Sequence, residues 1–182
     1  MEHFYHNIGE DWFTYPIFYH SIVQHAIDGA HFVEIGSWKG RSAAYMAVEI
    51  HNSNKKIKFD CVDTWKGSIE HVDDIFVQED TLYSEFLKNI EPVKHIINPI
   101  RMLSLDACQI YPDNSLDFVY IDASHEYEDI KNDIINWLPK VKTGGIISGH
   151  DFSWDGVTKA VKEVLPNYDY YSNENVWVHK KI

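Results

Sequence analysis

Short hydrophobic runs alternate along this chain with longer amphipathic ones. Residues 30–36 (AHFVEIG) are apolar except at His31 and Glu34 and predict a buried strand, and residues 40–51 (GRSAAYMAVEIH) predict a helix with Ala and Met inward. The polar stretch NSNKK then precedes a second strand at 57–62, with Asp63 directly after it. Residues 74–90 place Ile75, Leu82, Phe86 and Leu87 on one face of a helix, closed by Pro92. A third strand is expected at 93–97, a short helix from Ser104, and a fourth strand at 116–121. Residues 125–138 predict a helix with Ile130, Ile134, Trp137 and Leu138 in one stripe; a turn at Thr143-Gly144-Gly145 and a short strand at 146–148 follow. A helix over 155–165 stops at Pro166, and the tail reads as two strands joined by Ser-Asn-Glu-Asn.

Strand and helix thus alternate from residue 30 to 165. That pattern predicts an α/β fold, a doubly wound and mostly parallel sheet of seven strands with helices on both faces and an antiparallel C-terminal edge hairpin. Residues 1–182 are expected to form a single domain, with 1–29 as an N-terminal cap helix region. In that region Trp12, Phe13 and Tyr15 are expected chiefly as core packing, with a lid over a ligand as the other reading; residues 64–74, with His71, are a second lid candidate.

In such sheets ligands bind beyond the carboxyl ends of the strands. The residues expected there are polar and alike: Gly36, Ser37, Trp38 and Gly40 near Glu34, then Asp63, Ser104, Asp122, His125, His150 and Asp151. Taken singly, each has an ordinary structural reading as a turn, cap or packing residue. Their recurrence at matching positions points to a site. The first turn lacks the spacing of dinucleotide or phosphate loops, which counts against a nicotinamide-dependent oxidoreductase. Asp63 suits a ribose diol, because a carboxylate accepts from two hydroxyls. A nucleoside ligand without pyrophosphate fits, and S-adenosylmethionine is one whose sulfonium cation tolerates acidic and aromatic surroundings.

Composition narrows the partners. The formal net charge is −12, and Lys55-Lys56 and Lys180-Lys181 are the only Lys/Arg doublets, so nucleic acid and anionic membranes are not expected partners. A small molecule is. Two cysteines, Cys61 and Cys108, and an N-terminus without an apolar leader-like run suggest a reducing cytoplasm. Whether the protein is a homodimer stays open.

The segment VEIGSWKGRS resembles motif I of class I S-adenosylmethionine-dependent methyltransferases in its catechol-O-methyltransferase-like form. VDTWKGS resembles the ribose-holding segment, and residues 120–152 (YIDASHEYEDIKNDIINWLPKVKTGGIISGHDF) resemble the C-terminal signature of the methyltransferase 24 family. The resemblance, over roughly residues 30–165, implies a Rossmann-like three-layer α/β/α domain and O-methylation of a sugar-like or catechol-like acceptor. It implies that Glu34, Gly36 and Ser37 line the methionine end of the cofactor, that Trp38 also belongs to the cofactor site, and that Gly40, Arg41 and Ser42 open the adjacent helix. Asp63 would hold the ribose, with Thr64 and Trp65 near the adenine and Ser104 at its edge. Asp122 would face the cofactor and, with His150 and Asp151, occupy metal-ligand positions. His125 corresponds to the general base of macrolide-sugar enzymes.

One departure stands out. Those enzymes carry a carboxylate where this chain has His150. An imidazole favours manganese, iron or zinc over magnesium, or leaves the site without a metal. A protein that binds the cofactor without catalysis is the remaining alternative.

Overall fold

The computed structural model describes residues 1–182, the side chain of Ile69 excepted. Strands β1 (His31–Ile35), β2 (Lys58–Asp63), β3 (Ile97–Arg101), β4 (Leu116–Ile121) and β5 (Val141–Gly149) are parallel; β6 (Asp169–Tyr171) and β7 (Val176–Lys180) form the antiparallel edge. Their order is β3-β2-β1-β4-β5-β7-β6. The order reverses between β1 and β4, and that switch point is where a ligand crevice opens in such sheets.

Helices α1 (Pro16–His25) and α2 (Arg41–Ser53) cover one face. With α3 (Ile75–Gln78) and α4 (Leu82–Asn89), they surround a core that includes Tyr19, Met46, Phe32, Phe59, Phe86 and Phe118. On the other face α5 (Ser104–Ala107), α6 (Tyr127–Trp137) and α7 (Asp155–Val164) pack through Ala107, Ile130, Ile134, Trp137, Val157 and Val161 onto Val33, Val62 and Val119. Alternate residues of β1, Phe32 and Val33, therefore enter opposite cores. The layers are α/β/α as expected.

Three elements differ from the sequence reading. The helix expected over 74–90 is split, because Asp80 takes a left-handed conformation (φ 52°) between α3 and α4. The third strand starts at Ile97: residues 91–93 form a 3-10 turn that buries Val93, and pairing with β2 begins only at Ile97↔Phe59. Pro99 then lies on the edge strand, where a missing N–H costs least. The fifth strand runs from Val141, because Thr143–Gly145 form an irregularity within it rather than a turn before it. Among the described residues, no helix is long and apolar enough to cross a membrane.

Candidate active site

The turn after β1 sets the site. Gly36 takes φ 85°, and its N–H donates to the Val62 carbonyl (2.9 Å). The backbone of Asp122 lies so close that an added Cβ on Gly36 would stand 2.0 Å from the Asp122 carbonyl oxygen. Asp63, at the end of β2, accepts the N–H groups of Ser37 and Trp38 (both 2.9 Å) on one oxygen and that of Trp65 (2.7 Å) on the other. Asp63 thus shapes the β1 turn as well as standing beside the cavity. Burial pushes its carboxyl above the ordinary range, and these amide donors pull it back.

Two cavities open at this end of the sheet, and both are lined by Gly36, Trp38, His71, Asp122 and Ala123. One, of about 540 Å³, runs past Asp63, Thr64 and Gly67 to Met102, Leu103, Ser104 and Asp133. Leu103 is 62% exposed, so an apolar wall stands open to a flat apolar ligand. Ser104 donates to Asp133 (2.5 Å) and accepts from the Trp137 indole (2.8 Å); burial pushes the Asp133 carboxyl to about 6, against the pull of the Ser104 hydroxyl. The other cavity, of about 600 Å³, is lined by Ser37, Ser42, Arg41, His125, His150 and Asp151, with Trp12, Thr14, Glu70, Trp154 and Asn175. Trp12 and Trp154 are half exposed; Trp12 neighbours the stacked Trp38–His71 pair, and Trp154 stacks on His125.

The four rim residues expected beyond β4 and β5 meet in this second cavity. Asp122 accepts from the Tyr15 hydroxyl (2.6 Å). His125 is held on both sides, by Asp151 at Nε2 (2.8 Å) and by Glu70 at Nδ1 (3.1 Å). The hydrogen bond to Asp151 raises its pKa to about 9, against the opposing effect of burial, and Glu70 adds to the rise. As placed, His125 is therefore an imidazolium near neutral pH rather than a free base. His150 is buried, with Nε2 on Thr14 (2.8 Å) and Nδ1 3.1 Å from Asp151 and 3.7 Å from Asp122. Burial lowers its pKa, but the two carboxylates outweigh burial and lift it to about 10. Asp151 responds in kind: burial pushes its carboxyl up, and the two imidazoles hold it well below the ordinary range.

Among the described residues, Asp122, His125 and Asp151 are the group whose ligand atoms all lie within 4.8 Å of one another. His150, which the resemblance placed with Asp122 and Asp151, has Nε2 on Thr14 and Nδ1 toward the two carboxylates, and His125 stands beside them. Two carboxylates and one imidazole suit manganese, iron or zinc.

Not every residue expected at the cofactor reaches a cavity. Glu34 is 1% exposed and lines neither; it accepts from Tyr19 and Ser37 (both 2.8 Å) behind the turn. Gly40 caps α2 at φ 89° against Phe86 and Ile90. Trp65 is fully buried on Tyr83 and Phe86, and its indole donates to the Trp38 carbonyl (3.0 Å), so it supports the turn and does not face the cavity. Phe13 and Tyr15 are buried, as expected of core residues, and Trp12 is half exposed; all three also border the cavity. Thr14, Glu70, Trp154 and Asn175 had no motif to mark them.

Glu34 carries a pH effect. Burial pushes its carboxyl up to about 7, against the pull of the Tyr19 and Ser37 hydroxyls. Between the ordinary carboxylate value and about 7 the folded chain keeps a proton that the unfolded chain releases, so stability falls as pH rises through that window. Glu34→Gln does not titrate. Relative to wild type it is expected to gain about 3 kcal/mol between about pH 4 and pH 8. Urea unfolding of both proteins at the two pH values measures this, and a pH-independent difference would show that the carboxyl titrates normally.

A model of the methyltransferase domain family matches residues 33–152. The uncharacterized protein y4gI of Sinorhizobium fredii (strain NBRC 101917 / NGR234) is 27% identical over 127 residues, which are 70% of this chain and 14% of that protein. The chain thus spans 14% of the length of the curated relative it matches. Among solved structures, the O-methyltransferase NovP superposes with a TM-score of 0.71 at 15% identity, covering 91% of this chain and 78% of NovP. The O-methyltransferase from Bacillus cereus in complex with SAH gives 0.59 at 17% identity, over 90% and 78% of the two chains. Likeness at these identities shows the fold; the family model covers most of the chain and both strand-end clusters. This chain belongs to the methyltransferase domain family.

Proposed function

We propose that the protein methylates a hydroxyl of a small polyhydroxy acceptor, sugar-like or catechol-like, seated in the cavity walled by Trp12 and Trp154. The observation that carries this reading is the shared neck: the cavity with the open apolar wall and the cavity with the acid–histidine rim meet at Gly36, Trp38 and Asp122. The residues fit S-adenosylmethionine. Met102 and Leu103 offer an apolar face to an adenine, Asp63 keeps a lone pair for a ribose hydroxyl, and the acids near Asp122 suit a sulfonium.

When bound, this cofactor would supply an electrophilic methyl carbon to the acceptor oxygen and leave as SAH. The chain itself mainly aligns the partners. Trp12 and Trp154 line the acceptor cavity, and Asp122 stands at the neck where the acceptor hydroxyl must reach. His125 accepts the hydroxyl proton in its neutral form, after the acceptor displaces one of the two carboxylates that hold its ring. Asp122, His125 and Asp151 would alternatively hold a divalent ion, which would lower the pKa of a coordinated hydroxyl.

The test is SAH formation from S-adenosylmethionine with a panel of methyl glycosides and catechols, with EDTA or added Mn²⁺, beside calorimetric titration with SAH. Turnover of at least one acceptor is expected, with Asp122→Asn and His125→Gln each slower by about a hundredfold. SAH binding without turnover across the panel would favour a cofactor-binding protein without catalysis. Absence of SAH binding would sink the methyltransferase reading itself.

A further inference from the structure

Three rim side chains, Asp122, His150 and Asp151, each make one hydrogen bond with a residue outside the 33–152 segment that the family model matches. Tyr15 donates its hydroxyl to Asp122 Oδ2 (2.6 Å). It is fully enclosed, with its ring between Tyr120 and His150 (centroids 4.7 and 4.8 Å away). Thr14 Oγ1 lies 2.8 Å from His150 Nε2. With its own proton directed at the Glu174 carbonyl (3.4 Å), Thr14 receives the Nε2–H, which leaves Nδ1 on the side of the carboxylates. Asn175 donates from Nδ2 to Asp151 Oδ1 (3.2 Å) and also to Ser153 Oγ (3.0 Å).

These contacts come from two segments that are themselves tied down. Arg41 donates to the carbonyls of Ile8 and Glu10, and Lys39 pairs with Glu10 (2.7 Å), so the β1 turn anchors the N-terminal strap. Glu174, next to Asn175, accepts the N–H groups of Ile17 and Phe18 at the start of α1. The strap and the β6–β7 turn therefore hold each other as well as the rim. The rim needs holding: Asp151 sits at φ 56°, a conformation that a non-glycine residue keeps when its surroundings fix it.

We propose that Thr14, Tyr15 and Asn175 are positioning residues of the methyl-transfer site, fixing the His150 ring and the carboxylates of Asp122 and Asp151 at the mouth of the acceptor cavity. The proposal rests on the methyltransferase reading above. It extends the site to both ends of the chain.

The test uses the full chain, SAH as the probe, and the imidazole ¹⁵N spectrum of His150, assigned by its loss in His150→Gln. Thr14→Val is expected to move the His150 ring resonances while SAH affinity stays within about twofold. Thr14→Ser, which keeps the hydroxyl, is expected to restore them. Asn175→Gly keeps the left-handed turn and removes the side chain; it is expected to shift the Asp151 carboxyl ¹³C resonance, so the idea remains testable if Thr14→Val does not fold. Unmoved His150 resonances in Thr14→Val, or failure of Thr14→Ser to restore them, would overturn the positioning role. If wild type does not bind SAH, the underlying reading fails and takes this proposal with it, whereas binding with an unmoved His150 signal sinks the positioning role alone.

Discussion

Gly36→Ala is expected to lower stability by about 3 kcal/mol or more and to weaken SAH binding by about a hundredfold. Two costs add. At φ 85° an L side chain is strained, and the new methyl would stand 2.0 Å from the Asp122 carbonyl oxygen, 2.6 Å from its carbon and 2.8 Å from Ala123 Cα. All three neighbours are backbone, so no flexible side chain can give way. Relief requires β1 and β4 to separate at their carboxyl ends, where Asp122 N donates to the Ile35 carbonyl (2.8 Å). The shift displaces Asp122 at the neck that both cavities share. Gly29→Ala is the control: it has the same kind of backbone (φ 83°) but nothing within 4 Å of the added Cβ, so it bears the conformational cost alone, about 1 kcal/mol. Urea unfolding and SAH titration of both variants decide the matter. If Gly36→Ala matches Gly29→Ala and still binds SAH, the crowding at the neck is not what the structure describes.

Asp63→Asn should be nearly as damaging, for a different reason. The carboxylate has acceptor oxygens toward three backbone N–H groups, two on Oδ2 and one on Oδ1. An amide replaces one oxygen with an NH₂ group, which must then face a backbone donor. At least one N–H is left without an acceptor, and the remaining bonds lose their charge assistance. A loss of about 2–4 kcal/mol is expected, with SAH affinity lower by at least about tenfold because the turn carries Trp38 at the neck that both cavities share. Asp63→Ala should bind SAH no better than Asp63→Asn, since it too abandons the turn. Retained affinity in Asp63→Asn would mean that the β1 turn holds without this carboxylate.

The periodicities along the chain determined much of this protein. Phe32 and Val33 alternate between two cores, the stripe of Ile130, Ile134 and Trp137 is buried, and the residues after β1, β2, β4 and β5 gather at one end of the sheet. Burial by alternation is local, so it can be read from neighbours in the chain. Boundaries were less legible. Val93 is as apolar in its 3-10 turn as in a strand, and nothing in QEDT announces the left-handed Asp80 that divides α3 from α4.

The direction of a side chain after a strand was not legible either. Trp65 follows Asp63 by two residues, yet it turns into the core while Asp63 grips the β1 turn. Tertiary structure alone decided the electrostatics of the rim. His125 meets Glu70 across 55 positions of sequence, Asp151 meets Asn175 across 24, and His150 meets Thr14 across 136. The types of chemical group at the site were set by the sequence. Their protonation, and so which of them can bind a metal, take a proton or hold another in place, depends on charges that only the folded chain brings within hydrogen-bonding distance.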